Sequence, residues 1–120
     1  MSDITITSSD LQVDPSKGKT KLLKFAGQLD ETNIETEAKK VYAIMESEQP
    51  KNFVFDLSEL TYLNSKSIGF FADWQQKISQ GGGKLVIFGA KENIFDILDV
   101  VGLTNIIDLV QTVDEAKAAI

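Results

Sequence analysis

Asn52-Phe53-Val54-Phe55-Asp56-Leu57-Ser58-Glu59-Leu60-Thr61-Tyr62-Leu63-Asn64-Ser65-Lys66-Ser67-Ile68-Gly69 is the stretch from which the rest of the chain can be ordered. Phe53, Val54 and Phe55 form an apolar run long enough for a buried strand and too short for a helix. Asp56 to Thr61 reads as polar punctuation around Leu57 and Leu60. Asn64, Ser65, Lys66 and Ser67 then gather ahead of Ile68-Gly69-Phe70-Phe71-Ala72-Asp73-Trp74, which reads as a helix. Asn and Ser suit a helix entry because their side-chain oxygens accept the free N–H groups of a first turn. The positive end of that helix favours an anion, including a phosphate carried on a serine.

Working back from this strand, Thr32 with Glu35 has the form of a capping box. The helix after it places Ile34, Ala38, Val41, Tyr42 and Met45 at helical spacing. Before it, Ile4 to Thr7 alternates as a strand. Asp14-Pro15-Ser16-Lys17-Gly18 is a turn, because Pro fixes φ and Gly accepts positive φ. Thr20 to Gly27 then returns, so the first two strands form a hairpin.

Working forward, the second helix runs to about Gln80 and stops at Gly81-Gly82-Gly83. Gly83-Lys84 is not a phosphate loop: a helix precedes it, and Leu85 stands where Ser or Thr is required. Leu85 to Phe88 is a strand. A third helix turns Ile94, Phe95, Ile97, Leu98 and Val101 inward and stops at Gly102. Ile106 to Val110 is a further short strand. Thr112 with Glu115 starts a terminal helix with Val113, Ala116 and Ile120 as its apolar side.

Strand and helix alternate after the hairpin, which makes parallel pairs joined by crossovers. The expected fold is α/β, with a mixed sheet, an antiparallel N-terminal hairpin, a largely parallel remainder and about four helices. In such sheets, contacts gather at the carboxyl ends of strands, where Asn64 to Ser67 falls.

With 120 residues and 42% hydrophobic content, the expectation is a single domain over 1–120. Cysteine and histidine are absent, which removes disulfides, thiolate metal sites and the usual general base. The expected compartment is the cytoplasm. No apolar run reaches the length of a membrane span, so no direct membrane insertion is expected. A net charge of −6, with all of the basic residues being lysine, argues against nucleic acid and leaves no bidentate phosphate clamp. Lys17, Lys19, Lys21 and Lys24 read as the solvated face of an edge strand.

Asp56-Leu57-Ser58 followed by Leu63-Asn64-Ser65-Lys66-Ser67-Ile68-Gly69 resembles the signature loop of STAS domains, the family of the bacterial anti-sigma factor antagonists. Gly27-Gln28-Leu29-Asp30 is similar to the Gly-x-Leu-Asp ahead of that family's first helix. Val101-Gly102-Leu103 and Thr112-x-x-Glu115-Ala116 are similar to its carboxyl end. The family's loop reads aliphatic-Asp-Ser-Ser/Thr-Gly-Leu-Gly, and a partner kinase phosphorylates the second hydroxyl residue. Here Asn64 stands for the Asp and Ser65 fits the first serine. Lys66 fills the phosphoacceptor position and Ser67 replaces a glycine.

The resemblance implies a non-enzymatic regulatory domain that binds an anti-sigma factor of the serine-kinase type, with no cofactor and no metal. Such binding would regulate transcription by freeing a sigma factor. Lys66 cannot take phosphate on oxygen, so a switch would sit on Ser65 or Ser67 or be absent. Either serine can equally cap or flank the helix. Asp30, Asn64, Ser65, Lys66, Ser67, Phe70 and Trp74 are the candidate partner surface. Lys66, Phe70 and Trp74 recur four residues apart, while Ile68, Phe71, Ala72, Gln75 and Ile78 read as the core side. The alternative for Phe70 and Trp74 is packing in the core. Asp30 and Asp56 admit an acid-pair reading, but no His, Cys or Arg completes a catalytic site. The second reading is a STAS-like scaffold or accessory subunit of a signalling assembly or membrane transporter, and an oligomer is left open.

Overall fold

The computed structural model describes residues 3–120. A five-stranded sheet runs in the order β1-β2-β3-β4-β5, with β1 (Ile4–Leu11), β2 (Thr20–Leu29), β3 (Asn52–Leu63), β4 (Leu85–Phe88) and β5 (Asp108–Val110). β1 and β2 are antiparallel, and the other three pairings are parallel. The helices are α1 (Ile34–Ser47), α2 (Ser65–Gln80), α3 (Glu92–Val100) and α4 (Val113–Ala119). This is the expected mixed sheet with four helices.

Strand order follows chain order, so crossovers of one hand put α1, α2 and α3 on one face. Ile34, Ala38 and Val41 of α1, Phe71, Trp74 and Ile78 of α2, and Ile94 and Leu98 of α3 pack there against Leu23, Phe25, Phe53, Phe55 and Leu57. The opposite face is covered in part by α4, whose Ala116 meets Val54 and Val86. None of the helices among the described residues is long and apolar enough to cross a membrane.

The hairpin turn forms as its sequence predicts: the Asp14 carboxylate accepts from Ser16 N–H at 2.9 Å and from Ser16 Oγ at 2.8 Å. The lysine-rich segment behaves differently. β2 lies between β1 and β3, so it is an interior strand and not an edge. The Lys21 side chain is only 8% exposed, and its ammonium meets Asp10 at 3.0 Å and Glu48 at 2.5 Å. Alternation put lysines on this strand, but pairing supplied carboxylates for them.

β3 is longer than its apolar run suggests. It continues through the polar punctuation because its second face is only partly covered. Phe53, Phe55 and Leu57 point to the helices, whereas Asp56 and Ser58 face the open side. The register slips at Ser58, whose N–H and hydroxyl both donate to Asp56, at 2.9 and 2.6 Å. Leu60 and Leu63 then return to the core.

Two positions admit only glycine. Gly27 has φ +119°, and a Cβ there would lie 2.1 Å from the Asp3 carbonyl oxygen. At Gly83 a Cβ would lie 1.6 Å from the Lys51 carbonyl oxygen, which explains the glycine ahead of Lys84 without a phosphate. Between these strands Asn52, 3% exposed, fastens three neighbours. Its amide donates to Lys17 O at 2.9 Å and Thr20 Oγ1 at 3.2 Å, and its carbonyl accepts from Lys84 N–H at 3.0 Å.

α3 exposes two residues that its spacing turned inward. Phe95 is 39% exposed, because Ile94 and Leu98 alone form the buried stripe of this short helix, and Val101, 51% exposed, caps its end beyond Val100.

Candidate functional site

The carboxyl ends of β2 and β3 lie side by side, with Leu29 opposite Leu63. The Asn64 N–H donates to the Leu29 carbonyl at 3.2 Å, so the chain leaves β3 pinned to its neighbour. Asn64 is extended (φ −98°, ψ 175°) and caps α2. Its Oδ1 accepts from the Ser67 N–H at 3.0 Å and the Ser67 hydroxyl at 2.5 Å. α2 therefore begins at Ser65, three residues ahead of the apolar start at Ile68. Ser65, Lys66 and Ser67 are its first turn and not a loop before it.

This changes what each of the three can do. Ser65 is exposed at the first helical position. Ser67 is wholly buried, and its hydroxyl is used in the cap. A phosphate on Ser67 would need the cap to open. The Ser65 and Lys66 N–H groups have no intrahelical acceptor and face outward, giving this corner its partial positive charge.

Lys66 reaches across to α1. Its ammonium lies 2.6 Å from Glu35 Oε1, with both side chains substantially exposed. The hydrogen bond between them raises the Lys66 pKa above the usual lysine value and holds the Glu35 carboxyl below the usual glutamate value. The capping box read from Thr32 and Glu35 does not form. α1 starts at Ile34 after Asn33, so Glu35 sits at its second residue and is free to meet Lys66. Thr32 instead donates its N–H and hydroxyl to Asp30, at 2.9 and 2.6 Å.

Asp30 stands directly after β2, half-buried, and organises the entry to α1. Its carbonyl accepts from Ile34 N–H at 3.0 Å, and its N–H donates to Asn33 Oδ1 at 3.0 Å. Asp30 and Asn64 thus follow adjacent strand ends. Asp56 is elsewhere: it pairs in register with Lys24, six positions back along β2, roughly 20 Å at the strand rise of ~3.3 Å per residue. The two aspartates are not an acid pair.

The exposed reading of Trp74 is corrected. Trp74 is wholly buried, with ring centroids 5.2 Å from Phe71, 5.7 Å from Phe55 and 6.3 Å from Phe25. The buried stripe of α2 is Ser67, Phe71, Trp74 and Ile78, rotated from the stripe that the apolar letters suggested. Ser67 belongs to it only because its hydroxyl is satisfied by Asn64, which hydropathy does not register. Phe70 is half-buried beside Tyr42 and Trp74, at 6.4 and 6.2 Å. It follows Lys66 by four residues and so neighbours it on the surface of α2. Tyr42 ties α1 to α2 by donating to Asp73, and burial, aided by that carboxylate, pushes its pKa up to about 12.

Glu35 is the member of this corner that sequence reading missed as a site residue. Its sequence signals, a capping-box spacing from Thr32 and an acid at the start of α1, are both local; nothing in the order of residues pointed to Lys66. At the far end of the same two helices, Tyr42, Met45, Pro50, Phe53, Lys77 and Ile78 line a groove of about 500 Å³. It is separate from the Asn64 corner.

The sequence and the fold both have relatives among known proteins. The family model described as "STAS domain" matches residues 12–116. The anti-sigma-B factor antagonist of Listeria monocytogenes is 30% identical over 87 residues, covering 70% of this chain and 73% of that protein. Among solved structures, an anti-sigma factor antagonist from Mycobacterium paratuberculosis superposes with TM-score 0.82 at 20% identity, covering 98% of this chain and 93% of that one. A second, described as a putative anti-sigma factor antagonist from Thermotoga maritima, gives TM-score 0.76 at 20% identity, with 90% of each chain covered.

Proposed function

The chain belongs to the STAS domain family, and on that premise we propose that it is a non-enzymatic binding protein of the anti-sigma factor antagonist kind. It acts in the cytoplasm, as one unit over residues 1–120. Its partner is a kinase-type anti-sigma factor that docks over Asn64, Ser65, Lys66 and the outer edge of Phe70, with Asp30 at the border. Holding that partner frees a sigma factor. The observation that carries this reading is the exposed, Asn64-capped start of α2 at the paired carboxyl ends of β2 and β3. Backbone N–H groups, a hydroxyl and an ammonium converge there on a rigid base, which suits recognition of an acidic or hydrogen-bonding surface.

Ser65 is the one hydroxyl of this turn that a kinase can reach. Phosphate there would add roughly −1.5 to −2 charge at a helix start that tolerates it, and would repel an acidic partner surface. The test is affinity capture with the intact chain, then incubation with the captured kinase and ATP and phosphate mapping by mass spectrometry. Capture of a kinase-type anti-sigma factor, lost on Ser65→Asp, is expected. Phosphate on neither serine leaves binding without a switch.

The Lys66–Glu35 pair favours a second reading. A lysine already engaged by α1 at the phosphoacceptor position fits an unswitched scaffold or accessory subunit of a signalling assembly or transporter. Capture of a transporter ATPase in place of a kinase would select it.

A further inference from the structure

β1 is one of the two outer strands of the sheet, and longer than the other, β5; among the described residues no further strand pairs with β1. Its pairing with β2 is continuous from Ile4 opposite Gly27 to Leu11 opposite Thr20, without a bulge. The Asp3 carbonyl accepts from Gln28 N–H at 2.9 Å, which fixes the phase of the ladder. In an antiparallel pair the hydrogen-bonded positions alternate. Thr5, Thr7, Ser9 and Leu11 therefore face β2. Ile4, Ile6, Ser8 and Asp10 direct their N–H and C=O groups outward along the open edge.

Exposed edges are usually blunted by lysine, proline, a bulge or a covering segment. β1 carries no lysine, proline or bulge. Thr5 to Ser9 is uncharged, two threonines and two serines around Ile6, and all of them but Ile6 are solvent-exposed. The only charge on the strand, Asp10, is held by Lys21 at 3.0 Å. Its backbone pattern is complementary to itself under a two-fold axis.

We propose that β1 is a self-association edge, on which a second copy of this chain adds its own β1 antiparallel to form one continuous sheet. The axis passes at Thr7. Ile4 then exchanges backbone bonds with Asp10 of the second copy, and Ile6 with Ser8 of the second copy, so all of the outward residues are used. Thr7 faces its symmetry mate as a non-hydrogen-bonded pair, the closer of the two antiparallel spacings. The axis stands across the sheet, so both copies keep α1 to α3 on one side and both Asn64 corners remain open. A net charge of −6 on each copy opposes the contact, so added salt strengthens it.

Sedimentation velocity of the intact chain from micromolar to millimolar concentration tests this. A concentration-dependent dimer that tightens with salt is expected. Ser8→Pro removes an outward N–H that β2 does not use, so it should leave circular dichroism unchanged and abolish the dimer. The chain has no cysteine, so Thr7→Cys gives a single thiol that reads the register. Thr7→Cys should form a disulfide-linked dimer on mild oxidation, and Thr5→Cys, four residues from its mate's equivalent, should not. A chain that stays monomeric at every concentration overturns the proposal. So does Thr5→Cys cross-linking as fast as Thr7→Cys, whether or not Ser8→Pro folds.

Discussion

The Lys66 ammonium lies 2.6 Å from Glu35 Oε1, so the first turn of α2 is tied to the first turn of α1 across the end of the sheet where Asn64 sits. The pair is exposed and lies beside the N–H groups that a partner would meet. An acidic partner group that takes Lys66 must displace Glu35 or share the ammonium with it, as Asp10 and Glu48 share Lys21.

A pH titration should expose this pair. The Glu35 pKa is lowered by the Lys66 hydrogen bond, so its linked stability is present above the ordinary glutamate range and is lost as pH falls through the folded value. The Lys66 pKa is raised by the same bond, so its contribution is present below the ordinary lysine value and is lost as pH rises through the folded one. The pair is thus intact across the neutral range. In Lys66→Ala, the Glu35 carboxyl should titrate at higher pH by carbon-detected NMR. The thermal midpoint should hardly move, because exposed pairs contribute little.

The Asn64 cap should matter more than its surface position suggests. Asn64→Ala removes the acceptor for Ser67 N–H and leaves the buried Ser67 hydroxyl without a partner. A loss of about 2 kcal/mol in urea unfolding is expected, from the cap and the orphaned hydroxyl together. Asn64→Asp keeps the acceptor and should cost less than half as much. Equal losses in the two variants would rule out the capping role.

Phe70 and Trp74, the two aromatic residues of α2 read from the sequence as partner surface, should separate cleanly. Trp74→Ala empties a site at the centre of Phe25, Phe55 and Phe71, and should cost about 3 to 5 kcal/mol. Phe70→Ala removes a half-buried ring and should cost about 1 to 2 kcal/mol. A folded Phe70→Ala protein is then the variant with which to measure partner affinity. The check is chemical unfolding followed by a binding isotherm.

Asn52→Ala tests the amino end of the sheet. It strands the Lys84 N–H and the Lys17 carbonyl, both satisfied by Asn52. A cost of about 2 to 3 kcal/mol is expected by thermal or urea unfolding, with the hydrogen-exchange protection of β4 falling most.

The alternation of strand and helix, the Asp14 turn, the Thr112–Glu115 cap and the helix stop at the Gly81 run were legible in the sequence, because each depends on residues within a few positions. The Thr112 hydroxyl does accept from Glu115 N–H, at 3.2 Å. Family membership was legible too, since the loop motif is contiguous. Thr32 and Glu35 show where local patterning fails: the same letters that form a cap at Thr112 were claimed by Asp30 and Lys66, residues brought near by the turn into α1 and by the packing of two helices.

The sequence by itself thus determined the order of elements, the mixed sheet and the corner at Asn64. Only the tertiary structure decided which hydroxyl there faces water, which face of α2 is inward and which strand is the edge. Hydropathy periodicity cannot phase a helix whose buried stripe includes a hydrogen-bonded serine. Nor can it say that β2 is flanked on both sides, because strand neighbours are chosen by contacts distant in the chain. Ser65 is open and Ser67 closed for that reason: Asn64 takes the second hydroxyl as α2 docks, and the first is left outside.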